Sequence, residues 1–317
     1  MLKFSTRRVV QAVPLLLAVA FVGFAIMNLA PGGPLVVFAH NPHLTADKLH
    51  EITVNLGLDK PWPQRFVLWL SSLVRGDWGY SYVDGRPVLT VIGERIGATF
   101  LLMGAGFVVA LVMAIPLGIL GAVRPYGLFD NITTLLSYFG LSMPAFWFGL
   151  MLQLFLAVQL GWLPSAGMTS DVTATAPLDV ATHLILPATT LAITSIAGWS
   201  RYVRSSLMEA MRQDYVRTAR AKGLAERVVV VKHGLRNALI PLVTVMGLDL
   251  PGYFVGATTI EVVFSWPGMG RLFWTSLIGR DYPVQMGILL ISAVLIIGGN
   301  LIADIAYGAL DPRISNE

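Results

Sequence analysis

Long apolar stretches separated by short polar ones dominate this chain. With His set aside, the gaps Arg8 to Lys48, Arg95 to Arg124, Asp130 to Asp171, Asp179 to Arg201 and Asp281 to Asp304 are each long enough for a membrane-crossing helix. A further run, about 239–263, is interrupted by Asp249 and Glu261. Crossing a hydrocarbon core of about 30 Å takes about 20 helical residues. The runs are continuous rather than alternating, and each must satisfy its own backbone in lipid. The pattern therefore predicts helices near 9–30, 101–122, 132–160, 184–204, 239–261 and 284–307. The first run follows Lys3, Arg7 and Arg8 and resembles a signal peptide. It is longer than the usual h-region of about 7–15 residues, and no small-x-small cleavage site closes it, so a retained helix is expected.

Charge orients the spans. Loops rich in Lys and Arg stay on the cytoplasmic side. With the N-terminus inside, 1–8, 123–131, 205–238 and 308–317 are cytoplasmic, and both termini lie inside. The loop 161–183 has no Lys or Arg and two Asp, which suits the outside. Segment 31–100 carries six basic and six acidic residues and constrains the topology little. It has a pattern of its own. Thr45 can cap a short helix through Asp47, Lys48 and Glu51 that stops at Gly57. After Pro61 and Pro63, the residues Phe66, Leu68, Trp69, Leu70 and Leu73 predict a second, amphipathic helix ending near Gly76. A folded cap on the membrane surface is the expected form.

Composition agrees. The chain is 55% hydrophobic and 13% charged, against about 25% charged in soluble domains. Its mean hydropathy is +0.70. The net charge of +4 could suggest nucleic acid. The basic residues, however, sit between apolar runs with few aromatics beside them, so a membrane face or a protein partner is expected and nucleic acid is not. With no Cys there are no disulfides and no thiolate chemistry.

The positive charge is concentrated. Residues 201–236 hold nine of the 22 Lys and Arg, with three acids, Glu209, Asp214 and Glu226. Arg201 and Arg204 continue the fourth span. Two short helices, around 210–222 and 225–237, are expected to meet at Gly223–Leu224, where glycine permits the positive φ of a sharp corner. Such a knob could receive force from a cytoplasmic partner. Ala219 and Ala221 would give it a thin side for docking, and Arg217, Arg220, Lys222 and Arg227 a charged rim. Alternatively the charges enforce topology and grip anionic lipid.

The stretch DYVRTARAKGL…KHGLRNALIPLVT resembles the cytoplasmic loop of inner-membrane permeases of ABC importers, of the dipeptide, oligopeptide and nickel type, B-type subunit. Further stretches are similar to that family in the same order: APGGP (30–34), NLGLDKPWPQRF (55–66), RGDWGYS (75–81), PAFWFGL (144–150), GWLPSAG (161–167), EVVFSWPGMGRL (261–272) and DIAYGALDPRI (304–314). The resemblance covers nearly the whole chain. It implies an all-α polytopic membrane protein with six transmembrane helices, the type I ABC importer permease fold, and an extracytoplasmic segment between the first two. On that basis 1–30 is the cytoplasmic N-terminus and first helix, 31–100 the extracytoplasmic segment, and 101–317 the core with a coupling loop at 205–238.

The family's loop carries an EAA-x-x-x-G pattern whose short helix sits in a cleft of the ATPase. Counted back from Gly223, its first three positions are Arg217, Thr218 and Ala219 here, followed by Arg220, Ala221 and Lys222, with Leu224 after the glycine. A base replaces the usual acid. APGGP likewise has Gly33 where the family has Asp. The resemblance further implies partners: a homologous C-type permease, two ATP-binding subunits that carry ATP and Mg, an extracytoplasmic substrate-binding protein, and membrane lipid. It implies a bacterial inner membrane and short peptides as cargo. The same machinery for nickel-chelate, glutathione or another small solute is the alternative, and an ion-coupled secondary transporter is a more distant one.

No enzyme signature competes. The chain lacks G-x-x-x-x-G-K-[ST], H-E-x-x-H and G-x-S-x-G, so it is expected to be no enzyme and to hold no cofactor. His40, His43 and His50 have no Cys or carboxylate cluster beside them and predict no metal site. Asp249 is the polar residue that stands out. A bare carboxylate at mid-bilayer costs about 2.5–3.5 kcal/mol, so it should face a cavity or a partner. It either lines the translocation pathway and meets a cationic group of the cargo, or forms a structural pair. Glu261 is placed near the external interface, followed by a break at Pro267, Gly268 and Gly270. Asn300, Asp304 and Tyr307 share a helical face read as packing, ended by DPR at 311–313. Pro116, Pro144 and Pro187 are expected to kink or start helices.

Overall fold

The structure, a computed structural model, describes residues 2–29, 33, 45–55, 57–171 and 176–310. Apart from Gly33, APGGP lies outside these residues, as do His40, His43, DPR and the side chains of Asp304 and Tyr307. The described chain is helical, with one isolated antiparallel bridge between Tyr80 and Pro87. In order, the helices are α1 Leu2–Leu29, α2 Ala46–Asn55, α3 Trp62–Val74, α4 Val88–Val123, α5 Leu128–Ser142 and α6 Ala145–Leu152, which runs on as a wider π-turn over Gln153–Gln159. Then come α7 Pro177–Ala210, α8 Asp214–Ala221, α9 Glu226–Val263, α10 Met269–Ile278 and α11 Tyr282–Leu310.

Among the described residues, five stretches are long and apolar enough to cross a membrane: Val10–Leu29, Val88–Val123, Pro177–Ala210, Glu226–Val263 and Tyr282–Leu301. A sixth results if Leu128–Ser142 and Ala145–Gln159 count as one span, broken by a 109° bend. The run 132–160 is thus not one straight helix. Pro144 has φ −60° and cannot donate to the helix before it, and Met143 is driven to an extended φ −90°, ψ 132°. The second span begins at Val88 rather than near 101, because the polar residues Glu94 and Arg95 are carried within the helix.

Contacts divide the chain into two compact units. One comprises Leu2–Ala98 and Pro267–Gly298. In it α3 packs on the end of α1 through aromatic rings: Phe24 lies 5.4 Å from Phe66 and 5.6 Å from Trp69. Helix α2 begins after Thr45, whose hydroxyl receives the Lys48 N–H at 3.4 Å, and stops at Gly57, whose N–H reaches Val54 O at 2.9 Å. The Asp281 carboxylate accepts the Ser81 hydroxyl and the Tyr82 N–H, the latter at 3.0 Å. That clasp fixes the turn before α4 to the start of α11. Burial there pushes the Tyr82 phenol up to about 12.

The other unit comprises Thr99–Trp266 and the chain from Gly299. Its centre is α7, which packs against α5, α6 and α9. Helix α4 approaches α7 at Gly118, where a Cβ would come within 2.7 Å of the Ser200 carbonyl oxygen and 2.5 Å of Val203 Cβ. No larger residue fits there without moving a backbone. Glu261 is fully buried and accepts the Thr99 hydroxyl at 2.7 Å.

Candidate functional site

Two places in the second unit hold the residues that the sequence singles out. The first is the corner between α7 and α9. Helix α8 turns its Val216 and Ala219, spaced i, i+3, onto Val229, and Met211 packs against the three. Gly223 ends it with φ +73°, its N–H reaching Arg220 O at 2.9 Å, while the Leu224 N–H reaches Ala219 O at 3.4 Å. This pair of bonds is the αL stop that favours glycine. Across the corner the Arg220 guanidinium grips Glu226 through both nitrogens, at 3.1 and 2.6 Å. That hydrogen-bonded pair holds Arg220 above its ordinary pKa.

Arg217, Thr218, Arg220, Ala221, Lys222, Gly223 and Leu224 are exposed. Ala219 is not: it is 5% exposed and faces inward. The thin docking side expected at Ala219 and Ala221 is therefore reduced to Ala221, because the small side chain at 219 is what allows α8 to lie against α9. The second short helix expected over 225–237 is likewise absent as a separate piece. It is the start of α9, and a π-turn over Val229–Leu235 carries it straight into the span. Gly234 lies against Met211 Sδ and Leu207 Cδ1, where a Cβ would come within 2.8 and 2.9 Å. The polar Lys232 and His233 lie in the π-turn and do not break the helix.

Two further island cations are held on their own chain. Arg204 Nε and Nη2 meet Asp130 Oδ1 and Oδ2 at 2.5 and 2.7 Å, and the Tyr126 N–H adds a third bond to Asp130 at 2.7 Å. Arg201 stacks over the Tyr138 ring at 4.6 Å. Asp130 was legible only as the end of an apolar gap. Nothing local announces its partner 74 positions away.

The second place is a cavity of about 600 Å³ beside Asp249. Asp249 lies on α9 and accepts the Trp199 indole N–H at 2.7 Å. Trp199 is itself 1% exposed, edge-on to Phe107 at 5.2 Å and beside Tyr253 at 6.1 Å. Thr194, Ser195 and Gly198 from α7 line the same cavity, and so do Leu141 and Phe146 from the two sides of the α5–α6 bend. The carboxylate is half-buried and keeps acceptor capacity beyond its bond from Trp199. It is an apolar, aromatic hollow with one anion on its wall, suited to a cation attached to an apolar body. Among the described residues no His, Asp and Glu come together as a metal site.

Comparison with known proteins gives this architecture its place. Residues 114–316 match the family described as binding-protein-dependent transport system inner membrane component, and residues 1–103 match the N-terminal family of the same membrane components. The chain belongs to the binding-protein-dependent transport system inner membrane components. It is 44% identical over 315 residues to the oligopeptide transport system permease protein AppB of Bacillus subtilis (strain 168), covering 99% of each. It is 39% identical over 314 residues to the glutathione transport system permease protein GsiC of Pectobacterium atrosepticum, again covering 99% of each. Among solved structures, an inward-facing MetNI methionine ABC transporter superposes with a TM-score of 0.56 at 18% identity, over 70% of this chain and 97% of that one. This last likeness shows the fold alone. The all-helical type I permease architecture expected from the sequence is thereby supported, and the chain is a membrane component.

Proposed function

We propose that this chain forms half of the translocation pathway of an ATP-driven importer of short peptides, working by alternating access. The observation that carries it is the continuity of α9. The exposed corner leads directly into the start of α9, and the same helix carries Asp249 in its middle, 23 residues on from Glu226. At about 1.5 Å per residue the two are about 35 Å apart along one element. A push on the corner is thus delivered to the cavity wall along one continuous helix, which carries Pro241 and Pro251 within it.

In this reading Arg217, Thr218, Arg220, Ala221, Lys222, Gly223 and Leu224 present the surface that meets an ATP-binding subunit, and Ala219 holds that surface on α9. ATP and Mg belong to two such subunits, and this chain catalyses nothing. A homologous C-type permease completes the pathway, and an extracytoplasmic binding protein delivers the cargo. The positive-inside rule places 205–238 and both termini in the cytoplasm and 31–100 outside, with 1–30 as entry helix and 101–317 as core. Asp249 lines the pathway and meets the cargo's amino group. The identity to an oligopeptide permease over 99% of both chains supports peptides as cargo. The relative that carries glutathione in its name favours a second reading, the same machinery for that tripeptide.

The test is co-purification from the native membrane, comparing the wild type with a Gly223→Pro/Arg217→Glu variant. Partners are identified by mass, and ATP turnover is measured with and without the binding protein. The wild type is expected to bring ATPases and a second permease, and the variant to lose the ATPases. A wild-type chain that purifies alone would remove the importer reading. Competition between a labelled short peptide and glutathione for uptake separates the two cargoes.

A further inference from the structure

A second cavity, of about 790 Å³, lies within the unit formed by Leu2–Ala98 and Pro267–Gly298, and the transport reading makes no use of it. Its wall is of two kinds. Phe24, Leu68, Trp69, Trp78 and Met286 make it apolar, while Arg65 and Lys60 bring cations. Neither cation forms an ion pair among the described residues. Burial lowers the Arg65 guanidinium from its ordinary pKa, and only the Tyr82 phenol acts in the other direction. The one acid among the described wall residues, Asp77, is exposed and accepts the Gly79 N–H at 3.0 Å. Asn28 donates its amide to Phe24 O at 2.7 Å, but its Oδ1 is buried and receives no hydrogen bond. A buried acceptor without a donor has a real cost. A ligand that suits this wall is an anion that also carries a hydrogen-bond donor and an apolar body.

The place of the cavity narrows the choice. Phe24 and Asn28 belong to the end of the membrane-crossing stretch Val10–Leu29. Helix α3 packs there and leaves Trp62, Val67, Leu68 and Val74 between 45% and 81% exposed. An amphipathic helix with exposed aromatic and aliphatic residues at the end of a span lies in the interfacial zone of a bilayer. The anion abundant at that depth, already joined to an apolar body, is a phospholipid. We propose that this cavity binds one anionic phospholipid. Its phosphate is held by Arg65 and Lys60, a head-group hydroxyl donates to Asn28 Oδ1, and an acyl chain lies along Phe24 and Leu68. Arginine's fork matches a phosphodiester's two oxygens. A choline head group would bring a third cation to Arg65 and Lys60 and no donor for Asn28, so the site discriminates by charge and by hydrogen bonding.

The experiment uses the full-length chain with whatever subunits accompany it, reconstituted into nanodiscs of equal phosphatidylglycerol and phosphatidylcholine. Lipids retained after release are counted by native mass spectrometry. Wild type is expected to retain phosphatidylglycerol over phosphatidylcholine by about tenfold, as two interfacial cations allow. Arg65→Gln/Lys60→Gln is expected to lose that preference. Ser72→Phe, which fills the cavity and leaves both cations, is expected to lose it too. Arg75→Gln, a cation outside the wall, is expected to keep it. Thermal melting checks that each variant is folded. Equal retention of the two lipids by the wild type overturns the proposal, as does an undiminished preference in either cavity variant. Displacement of the lipid by inorganic phosphate or by a short peptide at equal concentration also overturns it, and would make the cavity a site for a soluble anion. None of these outcomes touches the co-purification result, so this site and the importer reading fail separately.

Discussion

Asp130 and Asp249 are both carboxylates set among apolar helices, and the protein treats them in opposite ways. Asp130 is 2% exposed at its side chain and receives two charge-assisted bonds from Arg204 and one from a backbone N–H. Three donors converge on it and its charge is matched. Asp249 is half-buried, receives one neutral donor from Trp199, and faces about 600 Å³ of open cavity. Two carboxylates of one composition thus separate into a structural lock and an unspent charge. The lesson concerns the inventory of bonds: a buried acid tells little about function until its partners are counted.

The comparison can be broken most forcefully at the lock. Arg204→Ala leaves Asp130 buried without its counter-charge and is expected to cost about 3–5 kcal/mol. The readout is a fall in melting temperature in detergent and in the yield of folded chain. Asp130→Asn/Arg204→Gln should cost less than the two single changes added, since each single change strands the other group. A wild-type melt for Arg204→Ala would show that the lock holds nothing.

At the open acid the effects move from stability to transport. Trp199→Phe removes one hydrogen bond and some core volume, so its expected cost is about 1–2 kcal/mol in the same melt. Asp249→Asn keeps the shape and is expected to shift stability by no more than about 0.5 kcal/mol. In reconstituted vesicles it should lower uptake of peptides with a free amino group about tenfold and spare N-acetylated ones, as expected for the loss of one charge-assisted contact worth about 1.5 kcal/mol. Equal uptake of both cargoes by Asp249→Asn would return Asp249 to the structural class. The smallest effect is expected at Arg220→Gln. Its pair with Glu226 is on the surface, so the melt should hardly change at moderate salt, while ATPase co-purification reports any role in docking.

Much of the helical plan was legible because lipid admits few alternatives: an apolar run of sufficient length has to close its own backbone bonds. The stops at Gly57 and Gly223 were legible for a local reason, since a positive φ falls to glycine at little cost. The same locality explains what was misread. Lys232 and Arg236 interrupt the apolar run, which makes 225–237 read as a short helix separate from the fifth span. Outside the hydrocarbon a helix tolerates charges, and α9 simply continues through them. Ala219 was assigned to an outer docking side because smallness suits either face of a helix. Only the position of Val229 shows that it faces inward. Asp130 reads only as the edge of an apolar gap because its partner comes from a different helix.

Read alone, the sequence carries the apolar runs, the basic corner with its glycine, and one odd acid in the fifth run. All of these depend on neighbours a few positions away or on the solvent each run requires. The tertiary structure decided the rest: the break before Pro144 that helps wall a cavity, the grouping of Pro267–Gly298 with Leu2–Ala98, the saturation of Asp130 and the exposure of Asp249. The physical reason is range. Propensity and hydropathy act along the chain, whereas a charge is satisfied or left open by groups that come together only when the helices pack.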